Sequence, residues 1–185
     1  SVRRLRLYIH WARTNALSFS FLIGDTIYGL TYSVFNRCSP EDGTKVAVAL
    51  GDQVVERIQA VMAKESFNAR VIRWPELESS PHYRRLHDAF QQRYSESPAF
   101  VSAVREEVQT NLNRRLTSEV VSRFESEDRG ESWRLLDDYV IAEMAGLITM
   151  SEYMGFPLEV YPGPDVTMLQ RLYTGGFPNL SDVLP

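Results

Sequence analysis

The stretch of sequence that decides the fold is residues 17–29, which read LSFSFLIGDTIYG. An apolar run of this length that ends at a glycine is typical of a buried strand, here residues 17–23. Gly24 and Gly29 then predict a turn directly after this strand. Two further strands are predicted later in the chain.

Two further apolar runs, residues 45–50 and 69–74, supply these predicted strands. Between them lies a helical pattern for which Asp52 is the predicted N-cap. Strands that alternate with helices are typical of βαβ units, in which the strands are parallel. The sequence therefore predicts an α/β fold, with a parallel sheet flanked by helices.

The rest of the chain is predicted to be mostly helical. Residues 81–94 and 98–124 form two long patterns that each begin with proline, a residue favoured in the first turn of a helix. A third helix carries apolar residues at helical spacing over residues 135–147, and residues 156–161 are a predicted last strand. No linker interrupts these patterns, so we predict one domain over residues 1–185.

Composition and charge narrow the class of protein. Of the 185 residues 44% are hydrophobic and 24% charged, which is ordinary for a globular protein, and no apolar run is long enough to span a membrane. The single cysteine, Cys38, excludes an internal disulfide and favours a cytoplasmic location. The net charge of −4 argues against a basic nucleic-acid coat. However, arginines collect in the middle and carboxylates in the last third, which suggests that one region binds a polyanion and another an amine.

The predicted third helix carries a pair of polar residues, Tyr139 and Glu143, in apolar surroundings. Residues four apart share one helix face, so the phenol and the carboxylate point the same way. Burying a carboxylate costs free energy unless it has a partner, and a cationic α-ammonium group would be suitable. The alternative is that both side chains lie at the protein surface.

Thr26 stands in the predicted turn, where α/β sheets bind their ligands, and is a candidate nucleophile or anchoring hydroxyl. The turn lacks the lysine of a phosphate-binding loop and the glycine spacing of a dinucleotide fingerprint. It resembles the Gly-Asp-Ser block of lipase-like hydrolases, but the last histidine is His87, so a Ser-His-Asp relay has no histidine in its usual place. His82 and His87 are five apart, which does not align two metal ligands, and we predict no metal site.

These motifs, taken in order, resemble those of a divergent cyclodipeptide synthase. Members of that family join the amino acids of two aminoacyl-tRNAs into a diketopiperazine. The resemblance implies a single Rossmann-like domain, similar to the catalytic domain of a class I tRNA synthetase. It also implies aminoacyl-tRNA as the partner, with no cofactor, metal or membrane. The His-x-Gly-His and Lys-Met-Ser-Lys-Ser signatures of adenylate formation are missing.

The resemblance also assigns roles to residues of this chain. It implies a catalytic set in which a hydroxyl takes the first aminoacyl group, a Tyr/Glu pair holds its ammonium and a late tyrosine assists ring closure: Thr26, Tyr139, Glu143 and Tyr161. The residues expected to bind substrate are Gly24, Asp25, Gly29 and Glu159. The arginines similar in place to the family's basic tRNA-binding helix are Arg84, Arg85, Arg114 and Arg115.

Several positions depart from the family pattern. Thr26 stands for the family serine, Gly29 for an asparagine, and Pro162 for a basic residue. If the register differs, Ser33 is the next candidate nucleophile. These departures suit a remote branch such as the fungal arginine-using enzymes, so we expect arginine as one substrate.

Two other classes of function remain open from the sequence. One is a lipase-like ester hydrolase that uses the Gly-Asp-Thr turn. The other is a non-catalytic Rossmann-like module that binds RNA or a protein partner, because arginine contacts with phosphates serve binding as well as catalysis. Convergence of the four catalytic candidates on one cavity would favour the synthase.

Overall fold

The computed structural model describes residues 1–15, 18–115, 129–155, 167–177 and 180, with only the backbone at positions 114, 115 and 129. The described elements follow in chain order: α1 (Val2–Asn15), β1 (Ser20–Ile23), α2 (Asp25–Asn36), α3 (Pro40–Lys64), β2 (Arg70–Arg73), α4 (Trp74–Glu78), α5 (Pro81–Glu96), α6 (Pro98–Arg115), α7 (Arg129–Ile148), the π-helical segment Thr149–Tyr153, and α8 (Thr167–Tyr173). The chain divides into two compact units, Ser1–Glu76 and Leu77–Pro185.

The first unit is built on two parallel strands. β1 and β2 pair with Ser20 opposite Arg70 and Ile23 opposite Arg73. Parallel neighbours require a crossover connection, and α2 and α3 provide it. The predicted parallel sheet with flanking helices is therefore confirmed.

The strand predicted at residues 45–50 is wrong, because these residues lie inside α3. The helix starts earlier than expected: Ser39 is its N-cap and accepts a hydrogen bond from the backbone N–H of Asp42 at 3.1 Å, and Pro40 occupies the first turn. Asp52 is consequently an interior helical residue and not an N-cap. The alternation of valine and alanine resembled a strand, whereas these start signals determined a helix.

The turn predicted between Gly24 and Gly29 is also wrong. Gly24 is the N-cap of α2, and Gly29 lies inside that helix. A Cβ atom at Gly29 would lie 2.7 Å from the Cα of Thr44, and one at Gly43 would lie 1.9 Å from the Oγ of Ser33. The two glycines therefore let the backbones of α2 and α3 approach closely.

The core of the first unit forms where α1 and α3 cover the strands. Its buried residues include Ile9 of α1, Phe21 of β1, and Ile58 and Val61 of α3. Phe19 meets Phe21 edge to face, with the ring centroids 5.0 Å apart. Burying this apolar surface holds the sheet against the helices on one face.

The second unit is helical, with α7 packed against α5 and α6. Every residue from 139 to 150 is buried, so α7 has no solvated face over this length. The predicted helices at 81–94 and 135–147 are confirmed as α5 and α7. The continuation of α6 to residue 124 and the strand at 156–161 fall outside the described residues. No described helix combines the length and apolar character needed to cross a membrane.

A polar cluster lies where α7 meets α5 and α6. The Tyr94 hydroxyl donates a hydrogen bond to Asp137, and Arg105 Nε lies 3.7 Å from the same carboxylate oxygen. Burial raises the pKa of Asp137, although its bond from Tyr94 and the charge of Arg105 oppose this rise. Burial, followed by the bond to Asp137, raises the pKa of Tyr94 to about 12. Asp137 is thus a buried carboxylate that depends on its donors.

We expect Tyr94→Phe to lower the free energy of unfolding by about 1.5–3 kcal/mol at pH 7, the usual effect of removing a hydrogen bond to a charged group. The loss should be smaller near pH 4, because Asp137 without its donor becomes protonated more readily in the folded state. Urea unfolding at both pH values measures this difference. Tyr28→Phe, at an exposed tyrosine, is the control.

The same cluster sets an alkaline limit. Because folding raises the pKa of Tyr94 to about 12, the stability that its phenol contributes is complete below its ordinary pKa of about 10 and is lost as the pH rises through about 12. Tyr94→Phe should therefore show a weaker loss of stability over this range than the parent. An equal loss in both proteins would contradict the role given to this bond.

Candidate active site

The Tyr139–Glu143 pair lies in the buried part of α7. The Tyr139 hydroxyl donates a hydrogen bond of 2.8 Å to Glu143 Oε1. Tyr139 is 8% exposed and Glu143 7%, so the alternative of a surface pair is wrong. The sequence placed both side chains on one helix face, and the structure joins them there.

The pair has the chemistry to bind an ammonium group. A carboxylate accepts several hydrogen bonds at once, so the bond from Tyr139 is compatible with another from a bound amine. The same bond fixes the orientation of the Glu143 carboxylate within the buried part of α7. A cation that reaches such a site gains a stronger electrostatic interaction than it has in water.

Thr26 is the second residue of α2 and lies in its first turn. The N-cap of this helix, Gly24, directly follows β1. This places it at the carboxyl end of a parallel strand, where the sequence analysis expected a site. Its Oγ1 atom is buried and has no hydrogen-bond partner among the residues that the structure describes. Buried hydroxyls normally have partners, so an unpartnered one at a strand end is suited to a bound substrate.

Asp25 is also buried, at 3% exposure, but its carboxylate contacts protein groups. Its Oδ1 accepts the backbone N–H of Thr26 at 2.9 Å, and its Oδ2 accepts Arg73 Nε at 2.5 Å. Arg73 also donates from Nη1 to Asp52 at 2.5 Å. Bonds to Asp52 and Asp25 raise the pKa of Arg73 above its already high ordinary value, so its charge is permanent.

Sequence reasoning missed Arg73. The available signal was a charged residue that closes an apolar strand, in the run Ala69-Arg70-Val71-Ile72-Arg73. A partner 48 residues away in the sequence cannot be read from local pattern. Substrate binding by Asp25 stays a prediction, but its carboxylate already accepts hydrogen bonds from protein donors.

The start of α5 carries two of the predicted tRNA-binding arginines. Arg84 and Arg85 are both exposed; Arg84 Nη2 bonds the Ser79 carbonyl at 3.0 Å and Arg85 Nη2 bonds the Tyr153 hydroxyl at 2.7 Å. The His82 ring stacks on the Tyr153 ring with centroids 3.9 Å apart. These groups form a basic and aromatic surface on which His82, Arg84 and Arg85 are exposed and Tyr153 is half-buried. No signal in the sequence marked His82 as part of it.

The other predicted site residues have different placements. Gly24 caps α2. Gly29 packs against α3, where a side chain would collide with Thr44. Arg114 and Arg115 end α6, and their side chains are not described. Tyr161 and Glu159 lie outside the described residues. Thr26 belongs to the first unit and the Tyr139–Glu143 pair to the second, so their convergence on one cavity stays a prediction.

No group of three His, Cys, Asp or Glu side chains within the described ranges is arranged to hold a metal ion. His82 and His87 instead make ring contacts, His82 with Tyr153 and His87 with Tyr83.

Solved structures share this architecture. A cyclodipeptide synthase from Fluoribacter dumoffii matches with a TM-score of 0.73 and 21% identity, over 99% of this chain and 77% of that chain. One from Staphylococcus haemolyticus matches with a TM-score of 0.73 and 14% identity, over 95% and 77%. AlbC, a cyclodipeptide synthase from Streptomyces noursei, matches with a TM-score of 0.58 and 18% identity, over 82% and 69%.

The fold is therefore Rossmann-like, resembling class I tRNA synthetases, as the resemblance implied. The family model for cyclodipeptide synthase matches residues 1–180, and the chain belongs to that family. It is accordingly a tRNA-dependent cyclodipeptide synthase, an aminoacyltransferase. No curated protein sequence matches the chain.

We expect Glu143→Gln and Tyr139→Phe each to reduce turnover by about tenfold or more, because a charge-assisted hydrogen bond contributes about 1.5–3 kcal/mol. Turnover should fall far more than stability does, because the change removes a contact with the bound aminoacyl group. Cyclic dipeptide formation and thermal unfolding measure the two effects.

The matched control is Tyr173→Phe, because Tyr173 is exposed and its hydroxyl contacts Glu152 at 3.3 Å. This variant removes a Tyr–Glu contact at the surface and should keep full activity. Unchanged turnover in both α7 variants would remove the pair from the active site.

Proposed function

We propose that this enzyme forms a cyclic dipeptide through an aminoacyl ester on Thr26, with the ammonium of that aminoacyl group bound by Glu143 and Tyr139. The observation that carries the proposal is the buried, hydrogen-bonded pair on α7. A buried carboxylate that a tyrosine hydroxyl orients is a suitable site for an α-ammonium group.

The first step is an ester exchange. Thr26 Oγ1 attacks the ester carbonyl of the first aminoacyl-tRNA, the bond to the terminal ribose breaks, and the ribose oxygen takes up the proton. The amine of the second aminoacyl-tRNA then attacks the acyl carbon and releases Thr26. The first amine finally attacks the second ester and closes the ring. The bond to the second tRNA ribose breaks, and Tyr161 assists transfer of the proton from the amine to the ribose oxygen. Because both substrates are activated esters, no ATP or metal is required.

Burial of the Thr26 hydroxyl has a consequence for the first step. The ester must come within about 3–3.5 Å of Oγ1 to react, yet this atom is shielded from solvent. Substrate entry therefore has to uncover it.

The surface formed by His82, Arg84, Arg85 and Tyr153 is where we place the tRNA. Arginines suit phosphate contacts, and an exposed aromatic stack suits an unpaired nucleotide. Arg114 and Arg115 are proposed to extend this surface along the chain. The assignment of the whole chain to one catalytic domain, residues 1–185, belongs to the same proposal.

We further propose arginine as one of the two amino acids. Its support is the number of carboxylates in the last third of the chain and the departures from the family pattern, which suit a remote branch such as the fungal one. Glu159 is the proposed partner of the guanidinium, because a carboxylate accepts two parallel hydrogen bonds from it.

We expect the purified protein to release a cyclic dipeptide from charged tRNA without ATP, and mass spectrometry of the products measures it. Prior RNase treatment should abolish the product, and free amino acids with ATP should give none. If either of these controls yields product, the tRNA-dependent route is wrong. Isotopically labelled arginine on the tRNA tests the substrate. Cyclic products without the label would contradict only the assignment of arginine as a substrate, and the proposed synthase activity would stand.

Thr26→Ala should abolish both product and the covalent adduct, because it removes the proposed nucleophile. Thr26→Ser should keep or raise activity, since it retains the hydroxyl without the methyl group that crowds attack. Intact-protein mass spectrometry after mixing with charged tRNA detects the aminoacyl ester. An adduct that persists in Thr26→Ala would move the nucleophile, with Ser33 as the next candidate.

The double variant Arg84→Glu/Arg85→Glu should weaken tRNA binding at low salt and reduce the slope of affinity against salt, as lost phosphate contacts require. Arg57→Glu is the control, because Arg57 is exposed on α3, away from α5 in the sequence. Filter binding over a salt series measures both. Equal slopes in parent and double variant would place the tRNA elsewhere, with the segment containing Arg3, Arg4 and Arg6 as the next candidate.

A further inference from the structure

We propose that Asp25, held by Arg73, is a positioning residue that sets the location of the Thr26 hydroxyl for attack on the ester. The inference rests on the proposed function in one respect, namely that Thr26 is the nucleophile. Asp25 contacts neither reacting atom in this scheme; it acts through the backbone of the residue that follows it.

The Asp25 carboxylate gathers donors from two segments of the first unit. The N–H of Thr26 comes from the start of α2, whereas the guanidinium of Arg73 comes from the end of β2 and the N–H of Trp74 from the start of α4 that follows it. The distances are 2.9, 2.5 and 3.3 Å in that order. The first turn of α2 is thereby fixed to the neighbouring strand at the carboxyl edge of the sheet.

Thr26 needs this support because nothing described holds its hydroxyl directly. Its Oγ1 has no hydrogen-bond partner among the described groups. A β-branched side chain in a helix has few accessible χ1 rotamers, so the position of the backbone largely determines where Oγ1 lies. The backbone N–H of the same residue is the group that Asp25 binds.

Helix α3 also contributes to this arrangement. Asp52 of α3 bonds the other side of the Arg73 guanidinium, so the arginine bridges two carboxylates. A Cβ atom at Gly51 would lie 2.7 Å from the Asp25 Cβ and 3.2 Å from Arg73 Nη2. Glycine at this position therefore makes the space in which the ion pair fits.

A positioning role explains why an ion pair occupies this place. Replacing a buried ion pair by apolar residues of similar volume is often neutral or stabilising, so stability alone does not favour it. Hydrogen bonds have directions, however, and apolar contacts have none. The pair thus specifies the location of one helical turn more sharply than packing would.

The bond from Thr26 N–H to Asp25 has a chemical corollary. This N–H is already directed at a carboxylate, so it is not the donor that stabilises the oxyanion of the tetrahedral intermediate. That donor must be another group, from the substrate ribose or from elsewhere in the protein. Asp25 therefore orients the nucleophile at the expense of one potential oxyanion contact.

The test is a single-turnover measurement of aminoacyl-ester formation on Arg73→Lys. Lysine keeps the charge but cannot bridge Asp25 and Asp52 as the two-pronged guanidinium does. Misplacement of a reacting group by about 1 Å costs up to about a hundredfold, so we expect acylation to slow at least about tenfold while tRNA affinity is unchanged. Arg70→Lys is the matched control, because Arg70 lies on the same strand in an exposed pair with Glu76 and should acylate at the parental rate.

Rescue separates positioning from a general loss of structure. Adding Thr26→Ser to Arg73→Lys should raise the acylation rate by a larger factor than Thr26→Ser alone raises it in the parent, because the serine hydroxyl rotates more freely than that of threonine. Asp25→Asn, which keeps the shape and removes the charge, is the second variant and should show the same slowing and the same rescue.

The outcomes distinguish this inference from the function on which it rests. A parent protein that forms no ester on Thr26 would overturn both. A parent that forms the ester while Arg73→Lys and Asp25→Asn acylate equally fast would overturn the positioning role alone. Slowing without rescue by serine, or with a parallel loss of tRNA affinity, would reduce the ion pair to a structural element and also overturn it.

Discussion

The ion pair between Asp25 and Arg73 joins the two strands of the sheet at their carboxyl ends. Ile23 and Arg73 are partners in the register of the strands, and Asp25 follows just beyond Ile23. The same arginine also pairs with Asp52 on α3. The guanidinium of Arg73 therefore connects β2, the crossover helix α3 and the first turn of α2. The placement of Thr26 depends on this connection, because its own hydroxyl has no described partner.

In the second unit, two buried carboxylates are stabilised by tyrosine hydroxyls and not mainly by an ion pair. α7 is buried over its last three turns, and two of its carboxylates accept a hydrogen bond from a tyrosine hydroxyl: Glu143 from Tyr139 of the same helix and Asp137 from Tyr94 of α5. The Asp137 bond stabilises the packing of α7 against α5. The Tyr139–Glu143 bond lies within one helix, so it orients a carboxylate without joining two elements, as a ligand site requires.

The sequence was sufficient where the signal was local. Proline at the start of α5, the apolar spacing of α7 and the four-residue interval between Tyr139 and Glu143 all predicted what the structure has. It failed where a distant contact decided the outcome. Gly29 was predicted to bound a turn because its packing against Thr44 is invisible in sequence, and Arg73 was missed because its partner lies 48 residues away. The family resemblance identified Thr26 as a candidate, whereas the support of its backbone emerged only from the coordinates.

The close approach at Gly51 makes three positions interdependent over evolutionary time. A larger residue at Gly51 would collide with Asp25, and loss of Arg73 would leave that carboxylate buried without its cation. Substitution of any one alone is therefore costly, and lineages should either retain all three or exchange all three for an apolar set. Among cyclodipeptide synthases, joint occurrence of aspartate before the nucleophile, glycine in the crossover helix and arginine at the end of the second strand would mark a subgroup with this way of holding its catalytic hydroxyl.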